Sequence, residues 1–256
     1  MTRPHSPDIT GMSGRDIAVI VHMGAHENAP ANTLPSFQTA IDLGVDCVEL
    51  DINTTVDGHL VVIHGPNVHR ATNGAGSVRS LTLAEIRGLD AGSRFDPSFA
   101  GTRIPTADEA MALMKGRINV YIDVKDATPE SIVALVRRHD MFSSAIVYGD
   151  VESLVTMKHI DSRILALVPR LPENPAELPA LAERVKPSYF GGVVGGVSTE
   201  QIEACHGVGA QIYMNTLAPN DNPEGWAQAV ADGADGLETD HPTPCLEFLR
   251  AKGLHE

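Results

Sequence analysis

Cysteine is scarce in this chain: Cys47, Cys205 and Cys245 are the only three, an odd set, far apart and without metal-ligand spacing. They exclude a disulfide framework and read as reduced packing residues of a cytoplasmic protein. Long hydrophobic runs are missing too, and none approaches the length of a transmembrane helix. Residues 1–16 are polar, contain Pro and Gly and have no apolar core, so they read as a loose leader rather than a secretion signal. Positive charge is also short. Nineteen Lys and Arg face 33 Asp and Glu, a formal net charge of −14. That balance excludes a general nucleic-acid binder and a ligand of anionic membranes. It does not exclude a small anionic substrate, because a bound metal reverses the field within one cleft. None of these features fixes the oligomeric state.

What is present is a full core. The chain has 256 residues, 43% of them hydrophobic, close to the usual size of one α/β barrel. Short apolar runs predict strands at 17–21, 119–124, 145–148, 164–168, 189–194, 211–214 and 236–239, besides the strand that carries Glu49 and Asp51. Helical patterns fall at 34–43, 129–138, 151–158, 199–206, 223–231 and 243–251. In the first of these, Asn32 or Thr33 caps the start, Pro35 suits the first turn and Gly44 stops it. The stretch 65–104 is turn-rich, with 81–89 its only clear helical piece, and reads as a segment inserted after the second strand. About eight strands, mostly followed by helices and with no break in composition, predict one domain over 17–256. Its fold class is α/β, a (β/α)8 TIM barrel. The alternative on the same rhythm is a doubly wound open sheet.

A barrel directs attention to strand ends. Glu49 and Asp51 lie two apart on one strand and therefore on one face, where they repel unless a cation sits between them. Asp57-Gly58 reads as a tight turn, after which the apolar run 60–63 delivers His64 near the end of the carboxylate strand. His22 ends the first strand. Asp123 and Lys125, again two apart, share a face of the strand at 119–124. The three carboxylates suit a hard divalent cation such as Mg²⁺ or Ca²⁺, and Lys125 suits an anionic oxygen. Two imidazoles supply a general acid and a general base. Together these six residues point to phosphoryl chemistry. Asp123 and Lys125 alone would read as an internal ion pair.

The chain resembles the glycerophosphodiester phosphodiesterase family. The resemblance rests on His22-x-Gly24, Pro30-x-Asn32-Thr33, Glu49-Leu50-Asp51, Thr55-x-Asp57-Gly58 and His64. It continues through Thr72-Asn73-Gly74-x-Gly76, Leu89-Asp90-Ala91-Gly92, Phe99-Ala100-Gly101 and Ile104-Pro105-Thr106 to Asp235-Gly236-Leu237-x-Thr239-Asp240-x-Pro242. It implies a metal-dependent barrel hydrolase. Glu49, Asp51 and Asp123 would hold one divalent cation, His22 and His64 would be the acid–base pair, and Lys125 would contact the phosphate.

Some positions depart from the family pattern. Met23 stands where Arg is usual, Ala31 where Glu is usual, Gly65 where Asp is usual, and Asp123 where Glu is more common. Met after the first histidine is similar to the sphingomyelinase D-like phospholipases, which form a cyclic phosphate. Met23, Asn32 and Met214 are expected to line the substrate pocket with Lys125. His26 and Glu27 in the first loop read as solvated, or as near enough to His22 to replace some of the lost polarity, and Trp226 reads as helix packing. The expected activity is hydrolysis of a small soluble phosphodiester. The alternatives are a cyclising lyase and a non-catalytic phosphodiester-binding barrel.

Overall fold

The computed structural model describes residues 17–255. The expected leader at 1–16 lies outside the described residues. Nine strands form one sheet: β1 (Ala18–Val21), β2 (Cys47–Thr54), β3 (Leu60–Val62), β4 (Asn119–Asp126), β5 (Ala145–Tyr148), β6 (Leu165–Val168), β7 (Tyr189–Val193), β8 (Gln211–Asn215) and β9 (Gly236–Thr239). Their order, β1-β9-β8-β7-β6-β5-β4-β2 with β1 also paired to β2, closes eight parallel strands into a barrel. β3 is the exception. It runs antiparallel to the far half of β2, with Ile52 opposite Val62. The structure is therefore the (β/α)8 TIM barrel and not an open sheet.

The helices are α1 (Leu34–Leu43), α2 (Leu83–Arg87), α3 (Ala107–Met114), α4 (Pro129–His139), α5 (Val151–Ile160), α6 (Leu178–Val185), α7 (Thr199–Gly207), α8 (Pro223–Asp232) and α9 (Pro242–Ala251). α1 spans the expected residues, with Thr33 as its N-cap. α2 is shorter than 81–89, because Thr82 and Glu85 cap each other at one end and Gly88 closes the other. α3 and α6 were not expected. α3 is opened by a reciprocal cap, in which Glu109 N–H donates to Thr106 Oγ1 and Thr106 N–H to the Glu109 carboxylate. Between β3 and α3 the chain makes 3-10 turns over its own small core of Val68, Val78, Ile86, Ala91 and Ile104.

Strand alternation divides the rest of the core in two. Outward residues such as Val48, Leu50, Ile52, Ile122 and Phe190 pack beneath the helices. Inward residues Ile20, Cys47, Tyr121, Ile146, Leu167, Tyr189 and Tyr213 fill the barrel. Tyr189 and Tyr213 are in ring contact at 4.5 Å. All three cysteines are free and buried. Among the described residues no helix is long and apolar enough to cross a membrane.

The floor of the barrel is tied by charge. Asp46 Oδ2 accepts the Val19 N–H at 2.8 Å and the His255 Nε2–H at 2.9 Å, with both side chains 1% exposed. Breaking a buried pair strands the remaining polar group. Asp46→Ala is therefore expected to cost about 3–5 kcal/mol of unfolding free energy in urea titration. A loss below about 1 kcal/mol would mean that this pair does not secure the barrel floor.

Candidate active site

Each residue at the C-terminal mouth is delivered by strand register. Asp51 on β2 lies beside Asp123 on β4, and Glu49 beside Tyr121. The loop after β1 folds back over this face. Met23 and Asn32 both take the left-handed conformation (φ 54° and 56°), which non-glycine residues adopt only when their surroundings fix them. Gly24 between them packs so tightly that a Cβ would fall 2.6 Å from Ser36 Oγ, so only glycine fits there. The constrained loop aims polar groups at β2. Met23 N–H donates to Glu49 Oε2 at 2.8 Å, and Asn32 Nδ2–H donates to Asp51 Oδ2 at 2.7 Å. Asn32 Oδ1 accepts the Asp51 N–H at 3.3 Å. Expected to touch substrate, Asn32 is instead buried and holds Asp51.

One oxygen each from Glu49, Asp51 and Asp123 lies within 4.8 Å of the other two. Burial, together with Asp51, Glu238 and Asp123, pushes the Glu49 carboxyl well above its ordinary value. Burial raises Asp123 as well, against the opposing pull of Lys125. Asp51 Oδ1 is buried without a hydrogen bond, although the Lys125 ammonium lies 3.2 Å away. Lys125 Nζ donates to Asp123 Oδ2 at 2.6 Å. Burial works against the ammonium charge, but Asp123 and Asp51 outweigh it and hold Lys125 above its ordinary value. Three clustered carboxylates, one with an oxygen that accepts no hydrogen bond, are hard oxygen donors that fit a divalent cation such as Mg²⁺ or Ca²⁺.

His22 follows β1. Its Nδ1–H donates to Asp240 Oδ1 at 2.8 Å, which leaves Nε2 for chemistry. Burial lowers the His22 pKa, but Asp240, Glu238 and Asp51 outweigh it, so the net shift is upward. His26 is not solvated as expected: its Nε2–H donates to the same Asp240 oxygen at 2.7 Å. Burial would raise Asp240, yet the two imidazoles hold its carboxyl well below the usual range. Asp221 fixes this strand end by accepting the Trp226 indole N–H, the Thr239 hydroxyl and the Asp240 N–H. Trp226 is thus tied to the site as well as packed.

His64 is exposed beyond β3. Ile63 N–H donates to the Asp51 carbonyl at 3.0 Å and Asn53 Nδ2–H to the Ile63 carbonyl at 2.8 Å, which pins the turn beside β2. From there His64 acts electrostatically on Asp123. The structure thus gathers His22, Glu49, Asp51, His64, Asp123 and Lys125 at one mouth.

Met214 does not join them. It is fully buried among the helix-facing residues, because Tyr213 faces the barrel interior and alternation turns its neighbour Met214 outward. Asn215 takes the interior place, and its Nδ2–H donates to Glu238 at 3.0 Å. Glu238 and Asp240 escaped sequence reasoning. Their two-residue spacing, Glu238 on β9 and Asp240 just beyond its end, repeats that of Glu49 and Asp51 on β2, and that was the available signal. Glu238, His22 and Glu49 also form a set with ligand atoms within 4.8 Å of one another.

Comparison with known proteins bears on the family and the fold. The model of the glycerophosphoryl diester phosphodiesterase family matches residues 22–177. A glycerophosphodiester phosphodiesterase of Caldanaerobacter subterraneus subsp. tengcongensis is 32% identical over 249 residues, covering 92% of this chain and 98% of the relative. The solved glycerophosphodiester phosphodiesterase of Agrobacterium tumefaciens is similar with a TM-score of 0.77 at 27% identity, over 88% of this chain and 97% of that one. An Oleispira antarctica phosphodiesterase solved with sn-glycerol-3-phosphate shares the fold, with a TM-score of 0.78 at 21% identity, over 91% and 96% of the two chains.

Proposed function

The chain belongs to the glycerophosphoryl diester phosphodiesterase family, a family of phosphoric diester hydrolases, and from that premise we propose how and on what it acts. Its substrate is a small phosphodiester, cleaved at one P–O ester bond to an alcohol and a phosphomonoester in the cytoplasm. The observation that carries this reading is the set of three carboxylates, Glu49, Asp51 and Asp123, with ligand oxygens within 4.8 Å of one another, at one mouth with an imidazole oriented by Asp240. Glu49, Asp51 and Asp123 would hold one Mg²⁺ or Ca²⁺, which when bound neutralises charge on the phosphoryl oxygens.

The chain's own residues do the rest. Lys125 pairs with a non-bridging phosphate oxygen. His22 and His64 exchange protons with the attacking water and the leaving alcohol. Asp240 keeps the His22 Nδ1 proton in place and stabilises the imidazolium once Nε2 is protonated. Asn32 and the Met23 N–H fix the carboxylates, so their geometry does not reorganise during turnover.

The test is ³¹P NMR of a panel of glycerol, sugar, choline and lysophospholipid phosphodiesters with each metal in turn. Phosphomonoester resonances support hydrolysis. A cyclic phosphate would mean a lyase, and no product from any ester would mean a binding barrel. Met23 and Ala31 are uncharged where the resembled family pattern usually has Arg and Glu, so sugar esters are expected to exceed glycerophosphocholine in kcat/KM. Met23→Arg with Ala31→Glu should reverse that preference, while Met23→Arg alone should help little because it leaves one charge unpaired. Wild-type turnover of glycerophosphocholine at least as fast as that of every bulkier ester would show these two positions to be neutral.

A further inference from the structure

A cleft of about 470 Å³ opens over the strand ends on the β5–β9 side of the barrel, of the size that holds a small ligand. Glu238 lines it and also stands in the set with His22 and Glu49, so the cleft leads out of the reaction centre. Tyr148 and Tyr121 form one wall, with ring centroids 5.6 Å apart. Tyr148 is half-buried at the junction, where it feels Asp123 and Lys125 from the phosphate side and Glu238 and Arg170 from the cleft side. The space exists because Gly191, on the inward face of β7 beside Tyr213, has no side chain. A Cβ there would lie 2.6 Å from the Pro169 carbonyl oxygen, so backbone forms that wall.

Resting on the hydrolase reading above, we propose that this cleft receives the alcohol group of the phosphodiester and is built for a neutral, ring-shaped polyol, a sugar or cyclitol. Tyr148 is its stacking face, and Asn215 and Glu238 read its hydroxyls. A ring polyol has apolar C–H faces and a rim of hydroxyls. The tyrosine wall suits the faces, and the amide–carboxylate pair, with a donor and acceptors side by side, suits the rim. Charge at the opening selects against ions. Arg170 and Glu173, one of each sign, stand at the rim. The Arg170 cation near Tyr148 opposes a quaternary ammonium over that ring, and Glu238 opposes an anion deeper in.

The test is calorimetric binding to His22→Ala protein in Mg²⁺, which reads the cleft whether or not the wild type turns over. The probes are the glycerol phosphodiesters of inositol, choline and ethanol. The inositol ester is expected to bind about tenfold tighter than the other two, the scale of one good aromatic contact with added hydrogen bonds. Tyr148→Leu and Asn215→Ala, each in that background, should bring the three affinities within about threefold, while Tyr148→Phe keeps the ring and the preference. Choline or ethanol esters binding as tightly as the inositol ester would overturn the proposal, as would a preference that survives Tyr148→Leu. Absence of turnover by wild-type protein on every ester would instead defeat the hydrolase reading and leave the affinity ratios to decide the cleft.

Discussion

His22→Ala is expected to lower kcat by about 10²- to 10⁴-fold, and His64→Ala by a similar factor, the range for losing a positioned general acid or base. His22 qualifies by geometry: Asp240 Oδ1 accepts its Nδ1–H at 2.8 Å, so Nε2 is the nitrogen left to exchange a proton with substrate. His64 follows β3, whose end is pinned beside β2 by the Ile63 N–H bond to the Asp51 carbonyl. The double mutant should lose far less than the product of the two factors, because the residues work as one unit. Asp240→Asn separates positioning from chemistry. Burial alone would lower the His22 pKa, and Asp240 is the first of the groups that overcome it. Its removal should therefore move the His22 limb of the kcat/KM profile to lower pH and reduce kcat less than His22→Ala does. Steady-state kinetics over pH 5–9 with saturating metal is the measurement. Near-normal turnover in either single mutant would return that histidine to a structural role.

The fold and half of the mouth were legible because both follow from local periodicity. Alternation along a strand puts Glu49 with Asp51 and Asp123 with Lys125 whatever the rest of the chain does. Met214 was placed by its position at a strand end and not by alternation, which with Tyr213 inward turns Met214 towards the helices and Asn215 to the interior. Asn32 was misjudged for another reason: its hold on Asp51 depends on two left-handed residues in a folded loop. His26 meets Asp240 across 214 residues, so no local pattern could have announced that contact. Glu238-x-Asp240 was open to discovery by the spacing rule.

Chelation is expected to abolish turnover, with Mg²⁺ or Ca²⁺ restoring it, and to leave a folded protein whose stability falls as pH rises from about 5 to 7.5. Glu49 and Glu238 both have folded pKa values raised, chiefly by burial, and Glu238 is pushed up to about 7. Unfolded, each ionises near about 4.3. Between those values the native state holds protons that the unfolded state has released, so raising the pH favours unfolding. His22 adds to the same slope, since its raised pKa contributes stability that is lost as pH rises through it. Asp240, with its lowered pKa, titrates below this window and does not oppose the trend. A bound divalent cation prefers the ionised carboxylates, so it should flatten the slope and stabilise most at the higher pH. At a hundredfold excess over Kd the gain is about 2.7 kcal/mol. Glu49→Gln replaces a carboxyl whose ionisation is disfavoured by burial and by the neighbouring carboxylates with a neutral group of the same shape. It should raise Tm in chelator at pH 7.5, while cutting both the metal-induced rise in Tm and the activity. Thermal melts at several pH values, with and without chelator and with metal content measured alongside, decide the matter. Full activity of metal-free protein, or chelated stability that climbs between pH 5 and 7.5, would remove the carboxylate set from the metal role.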